Sequence, residues 1–238
     1  MRPLAVCLAL AGCARAGPEN RIIGGLDDAA ISEAAPPDTR ITDAAALTFT
    51  LSQTPSDGVI AKNSFGCAPG GITRQNSYYR VFALADHGIT TTLHVTSVTF
   101  GIQSAIAGAN GAQPATVRIG SYRGALGQTT LDLTQVQPIS SVGLQIQDAS
   151  ATTMTAAIAG DISAGGQLIA ELAIPDGRAQ GHRFVVGSNA QGERRPGYTR
   201  AADCGYAAPT TMQSLADAQR LGTVDLVMTV SGVTDPPP

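Results

Sequence analysis

Two short stretches of this 238-residue chain carry residue types that could do chemistry. Gly160-Asp161-Ile162-Ser163-Ala164-Gly165-Gly166 sets a serine among glycines, and Arg21-Ile22-Ile23-Gly24-Gly25 has the form of the activation junction of trypsin-type proteases, whose new amino terminus folds inward. A serine nucleophile needs a base to take its proton and donors aimed at the oxyanion that develops. Here Ser163 is misplaced for the Gly-Asp-Ser-Gly-Gly loop, and no His-Cys segment accompanies it. Asp161 stands where a G-x-S-x-G elbow requires its first glycine. Neither chemistry is expected.

The remaining candidates are equally isolated. His87, His94 and His182 fall on a turn, on the polar face of a strand and in a loop before a strand, and no two have the spacing of metal ligands on a helix. Each is expected to be solvated. No D-x-[DN]-x-[DN]-G calcium loop occurs. Glycoside hydrolysis needs two carboxyl groups at a defined separation, and Asp132, Glu171 and Glu193 lie in a weak strand, a strand and a loop with no separation legible. No catalytic, metal or cofactor-binding residue is expected, no cofactor is implied, and the chain is not expected to be an enzyme.

Composition bounds the partners. A formal charge of −3, no Trp, and five Tyr and five Phe that do not alternate with Lys or Arg exclude a nucleic-acid footprint. Charged residues make up 14% of the chain, against about 25% in average soluble proteins, while hydrophobic residues make up 43%, enough for one substantial core.

Met1-Arg2 followed by the apolar run Leu4 to Ala11 has the layout of a secretory leader and is too short to span a membrane. Two processing routes compete. Leu10-Ala11-Gly12-Cys13 resembles a lipobox that would make Cys13 the lipidated residue, and Ala14-Arg15-Ala16 fits ordinary signal cleavage. The lipobox is the favoured reading, so residues 1–16 are a signal segment and membrane contact is expected only through a lipid anchor. On either route Cys67 and Cys204 are the last two thiols in an oxidising compartment and are expected to pair, two buried free thiols being the alternative. Residues 17–44, rich in Ala, Pro and acid, read as a disordered tether, and 233–238 as a Pro-rich tail.

Between them, residues 45–232 read as strands joined by turns. Leu47 to Leu51 alternates cleanly, as do Val142 to Ile146, Met154 to Ile158 and Leu168 to Ile174. Tyr78 to Leu84 splits into Tyr79, Val81 and Ala83, assigned to the core, with Tyr78, Arg80, Phe82 and Leu84 on the opposite face. Arg80 and Glu171, charges in otherwise apolar strands, are expected to pair on one sheet face. In Thr91 to Ser104 the apolar parity flips near Thr96-Ser97, which a β-bulge produces. Asn110-Gly111 marks a tight turn and Thr130 to Gln137 a weaker strand. Val224 to Val230 forms one last strand, and only 212–220 has helical spacing. The fold class is all-β: an antiparallel two-sheet sandwich, jelly-roll-like, with at most one short helix.

Asn63-Ser64 with Cys67, Asn76-Ser77-Tyr78-Tyr79-Arg80-Val81-Phe82, Pro175-Asp176-Gly177, Gly187-Ser188-Asn189-Ala190 and Asp203-Cys204-Gly205 together resemble a family of exported bacterial β-domains over Leu47 to Gly232. The resemblance implies the fold and an extracellular module, and it assigns no catalytic residues. Loops on a rigid sandwich are where binding would sit. Asn189, Tyr198 and Tyr206 are therefore the ligand-binding candidates, with plain loop packing as the alternative. The expected function is a non-catalytic exported surface module for binding or adhesion to a glycan or envelope component. The alternatives are a purely structural envelope lipoprotein and a hydrolase of unrecognised type.

Overall fold

The computed structural model describes residues 46–235. The expected leader, the expected lipidation at Cys13 and the tether expected over 17–44 lie outside the described residues. The described strands are β1 (Leu47–Ser52), β2 (Asn76–Ala83), β3 (Leu93–Ile106), β4 (Gln113–Tyr122), β5 (Val136–Ile146), β6 (Ala149–Ile162), β7 (Gln167–Ile174), β8 (Arg183–Val186), β9 (Ser188–Asn189), β10 (Tyr198–Ala201), β11 (Tyr206–Thr211), β12 (Asp225–Leu226) and β13 (Met228–Thr234). One short helix, α1 (Met212–Ala218), falls where helical spacing places it, with the Thr211 hydroxyl accepting from the Ser214 N–H at its start.

One sheet runs β1-β13-β3-β6, with β8 also on β3, and the other runs β11-β10-β2-β7-β4-β5. Set β8 to β12 aside and two four-stranded sheets remain, β1-β13-β3-β6 and β2-β7-β4-β5, with the eight-strand pattern of a jelly roll. Every pairing is antiparallel. Inner-face residues such as Leu51, Phe82, Val98, Phe100, Val117, Leu172 and Val230 form the core between the sheets. The bulge lies at Thr96, where β3 slips one residue against both β13 and β6. That slip lets Val95 and Val98 both point inward.

The β3 edge is shared. β13 pairs with it as far as Phe100 and β8 takes over from Ile102. At the handover the Gly187 N–H donates to the Gly101 carbonyl, the Gly101 N–H to the Val227 carbonyl and the Val227 N–H to the Gly187 carbonyl. A Cβ on Gly187 would stand 2.7 Å from the Gly101 Cα, so glycine is required there by close approach. The same handover divides the expected last strand, which breaks at Val227 into β12 and β13. β13 then continues two residues into the segment read as a tail. The weak strand expected over Thr130 to Gln137 is instead a 3-10 turn at Leu133–Gln135, capped by Asp132, after which β5 begins. Asp132 prefers this role because its short carboxylate accepts the Thr134 N–H.

The end of β13 is tied to its neighbours through His94. Its Nδ1 lies 2.8 Å from Asp161 Oδ1 and its Nε2 2.9 Å from Asp235 Oδ1. A ring that faces carboxylates from both nitrogens donates to both only when protonated, so the hydrogen bond to Asp161, and then that to Asp235, raises its pKa. A raised folded-state value means the stabilisation is complete below the unfolded value of about 6.5 and is lost as pH rises through the folded one. NMR titration is expected to give the His94 ring a midpoint above 6.5, with Asp161→Asn lowering it. An unshifted ring would show these contacts to be absent in solution.

Candidate functional site

The outer face of the second sheet is where polar side chains and a hollow coincide. Register places Tyr198 of β10 beside Tyr79 of β2, Tyr79 beside Glu171 of β7, and Glu171 beside Arg118 of β4. One row of side chains thus crosses four strands. The next row brings Arg200, Ser77, Ala173 and Thr116 together in the same way.

Half of this face is roofed. The segment 123–135 folds back over it, held by the Arg123 N–H to the Gln135 carbonyl and the Leu131 N–H to the Pro209 carbonyl. Beneath it Tyr79, Val81, Tyr122, Leu131, Ile169 and Tyr198 form a second, smaller core. The other half is open, and a hollow of about 500 Å³ lies along it. Its floor carries Ser77, Thr116, Arg118, Glu171 and Arg200, and its sides include Leu133, Val136, Pro138 and Pro175. Hydrogen-bonding groups on rigid strands beside fixed apolar walls are the ordinary makings of a ligand groove.

Electrostatics divide the floor. Arg118 and Glu171 form an ion pair at 3.0 Å. Arg200 is exposed and donates from Nε to the Ala207 carbonyl at 3.0 Å. The Tyr79 phenol is pushed up to about 12, first by burial and then by the Glu171 carboxylate beside it, so it stays a neutral donor at ordinary pH.

The expected pairing of Arg80 with Glu171 is corrected by the register. Arg80 faces Ala170, while Tyr79 faces Glu171, so the two charges lie on opposite faces of the sheet. The expected core face of β2 is corrected too. Tyr78, Phe82 and Leu84 enter the main core, and Tyr79 and Val81 enter the smaller one, because both faces of this strand are covered. Arg80 is fully buried. Its guanidinium forms an ion pair with Glu193 at 2.9 Å, donates to the Arg195 carbonyl at 2.7 Å, and donates from Nε and Nη2 to the Leu226 carbonyl. Burial lowers the Arg80 pKa and raises that of Glu193, against the attraction between them.

Two of the three ligand candidates are inaccessible. Asn189 is buried, donating from Nδ2 to the Ser56 carbonyl at 2.8 Å and accepting the Gln191 N–H. Tyr198 is buried, and its hydroxyl donates to the Gln128 carbonyl at 2.9 Å, pinning the roof segment. Both serve packing, because their polar ends are consumed within the fold. Tyr206 is half-buried and lines a second cavity of about 350 Å³ with Phe65, Leu215 and the disulfide. That disulfide, Cys67–Cys204, has a Cα–Cα distance of 5.8 Å and joins the segment before β2 to the turn after β10.

His182 is buried rather than solvated, packed against Gly108 and Gly177. His87 is half-buried against Phe82, and burial lowers its pKa. Among the described residues no His ring is hydrogen-bonded to a Ser, Thr or Cys side chain, and no group of His, Cys, Asp and Glu is placed to hold a metal ion.

No family model and no curated protein matches the sequence. Among solved structures the chain is similar to the cysteine protease and lectin-like domains of Cwp84, a surface layer associated protein of Clostridium difficile. The TM-score is 0.45 and the identity 7%, over 68% of this chain and 33% of that one. The chain thus spans about a third of the length of that structure.

Proposed function

We propose that this chain is a non-catalytic exported module that binds a glycan or another envelope component through the groove on its second sheet. The observation that carries the reading is the groove itself, with a floor of donors and acceptors on four hydrogen-bonded strands and apolar walls beside it. Sugars present hydroxyls to such floors and C–H faces to such walls. Export is supported by the leader and by a disulfide, a bond that persists in oxidising compartments. Lipidation at Cys13 is the proposed route of display.

Glycan arrays and pull-down of envelope fractions with the purified mature protein test this reading. The double variant Arg118→Ala/Glu171→Gln is expected to lose binding about tenfold or more, since it removes one charged donor and turns a carboxylate acceptor into a neutral amide. It should keep its melting temperature within a few degrees, because an ion pair this exposed adds little to stability. A panel of esterase, protease and glycosidase substrates is expected to show no turnover. Turnover abolished by one acid or Ser substitution would sink the proposal, and silence in every binding assay would favour a purely structural role.

A further inference from the structure

The charge on the groove narrows its ligand. Resting on the binding role above, we propose that the groove takes a glycan bearing carboxylates, an oligouronate, with Arg200 as the clamp for one carboxylate. Three charged side chains line the hollow: Arg118, Glu171 and Arg200. The first two neutralise each other at 3.0 Å. Among the described residues no carboxylate lies within ion-pair distance of Arg200, so the groove carries one net positive charge at its β10 side.

Arg200 is also preset. Its Nε bond to the Ala207 carbonyl orients the guanidinium and leaves the terminal nitrogens uncommitted, beside Ser77 in the neighbouring strand. A neutral ligand that covers the groove strips water from this cation and returns only uncharged hydroxyl acceptors for it. A carboxylate restores the lost hydration with charge-assisted, fork-shaped hydrogen bonds. Glu171 repels a second anion next to Arg118 while accepting from hydroxyls. The floor therefore favours a carboxylate at the Arg200 end and hydroxyls over the Arg118–Glu171 pair, a pattern that a uronic-acid oligomer supplies along one chain.

Hexagalacturonate and its carboxyl-reduced counterpart, a galactose hexamer, are titrated into the mature protein by calorimetry beside an acetylated hexaglutamate peptide. The uronate is expected to bind about 10- to 100-fold more tightly than the reduced sugar, and Arg200→Gln is expected to abolish the difference. Arg200→Lys, which keeps the charge and loses the fork, should retain part of it. Because Arg200 is exposed, both variants should fold, which their melting temperatures check. Equal binding of both sugars overturns the carboxylate assignment and leaves the glycan-binding role standing. Tighter binding of the peptide overturns the sugar assignment, and binding of none of the three overturns the uronate assignment, while the glycan arrays and pull-downs decide the glycan-binding role separately.

Discussion

Replacing Arg80 by methionine is expected to destabilise the fold by about 3–5 kcal/mol, the range for removing one partner of a buried ion pair. The side chain is fully buried and satisfies Glu193, the Leu226 carbonyl and the Arg195 carbonyl together. Methionine fills much of the volume but takes the cation from Glu193, which keeps only the Gly197 N–H, and the side-chain donors from the Leu226 and Arg195 carbonyls. In thermal unfolding the loss should appear as a drop of roughly 10–15 °C for a domain of this size. Adding Glu193→Met to the variant should recover part of it, since a buried carboxylate without a cation costs more than no carboxylate.

The pH dependence of the Arg80→Met variant has a defined sign. Burial already raises the Glu193 carboxyl, and without the attraction of Arg80 it rises further. A folded carboxyl with a raised pKa binds more protons than the unfolded chain, so stability increases as pH falls through the folded value. The deficit of the variant should therefore narrow toward acid. A loss below about 1 kcal/mol, or one independent of pH between neutrality and pH 5, would show that Arg80 does not hold this network.

Arg80 also shows where sequence reading stops. From Tyr78 to Phe82 its strand is apolar on both faces apart from Arg80, and the sequence does not say what covers each face. The outer cover is the segment 123–135, carrying Leu126, Leu131 and Leu133. Its docking depends on contacts to Pro209 and Tyr198 that local pattern does not encode. Glu171 pairs with Arg118 rather than the expected Arg80 for a related reason. Its cross-strand neighbours, Tyr79 and Arg118, are fixed by the registers of β2 and β4 on β7, which are tertiary facts.

What depends on local chemistry was legible. The apolar parity flip around Thr96 marks the bulge because a period-two pattern changes face only where a residue is inserted. The strands that pack on one side, β5 and β6 among them, show the alternation expected of them. The groove was not legible, since Ser77, Thr116, Arg118, Glu171 and Arg200 come from four strands spread over more than half of the chain. Tyr198 and Asn189 stood out by residue type, and their types are conspicuous because each has a polar tip for the fold to consume.

Reduction of Cys67–Cys204, or the double variant Cys67→Ala/Cys204→Ser, is expected to cost about 2–5 kcal/mol. The two residues are 137 apart in sequence, so the cross-link closes most of the described chain and restricts the unfolded state strongly. Its native role is equally specific. The Cys67 N–H donates to Asn76 Oδ1 at 3.0 Å, and Asn76 opens β2, while Cys204 sits in the turn between β10 and β11. Cutting the bond frees the β10–β11 turn, which follows the strand that carries Arg200, from the segment before β2. Thermal midpoints with and without reductant should differ by roughly 5–15 °C. Arg200 should also lose part of its effect on ligand binding in the reduced protein, because β10 and β11 position it through the Ala207 contact. Residue Cys204 is exposed and Cys67 buried, so attack by a small thiolate in the folded state is expected from the Cys204 side. Alkylation of both cysteines in the untreated exported protein would show the bond to be absent, and an unchanged midpoint after full reduction would show that it does not stabilise the sandwich.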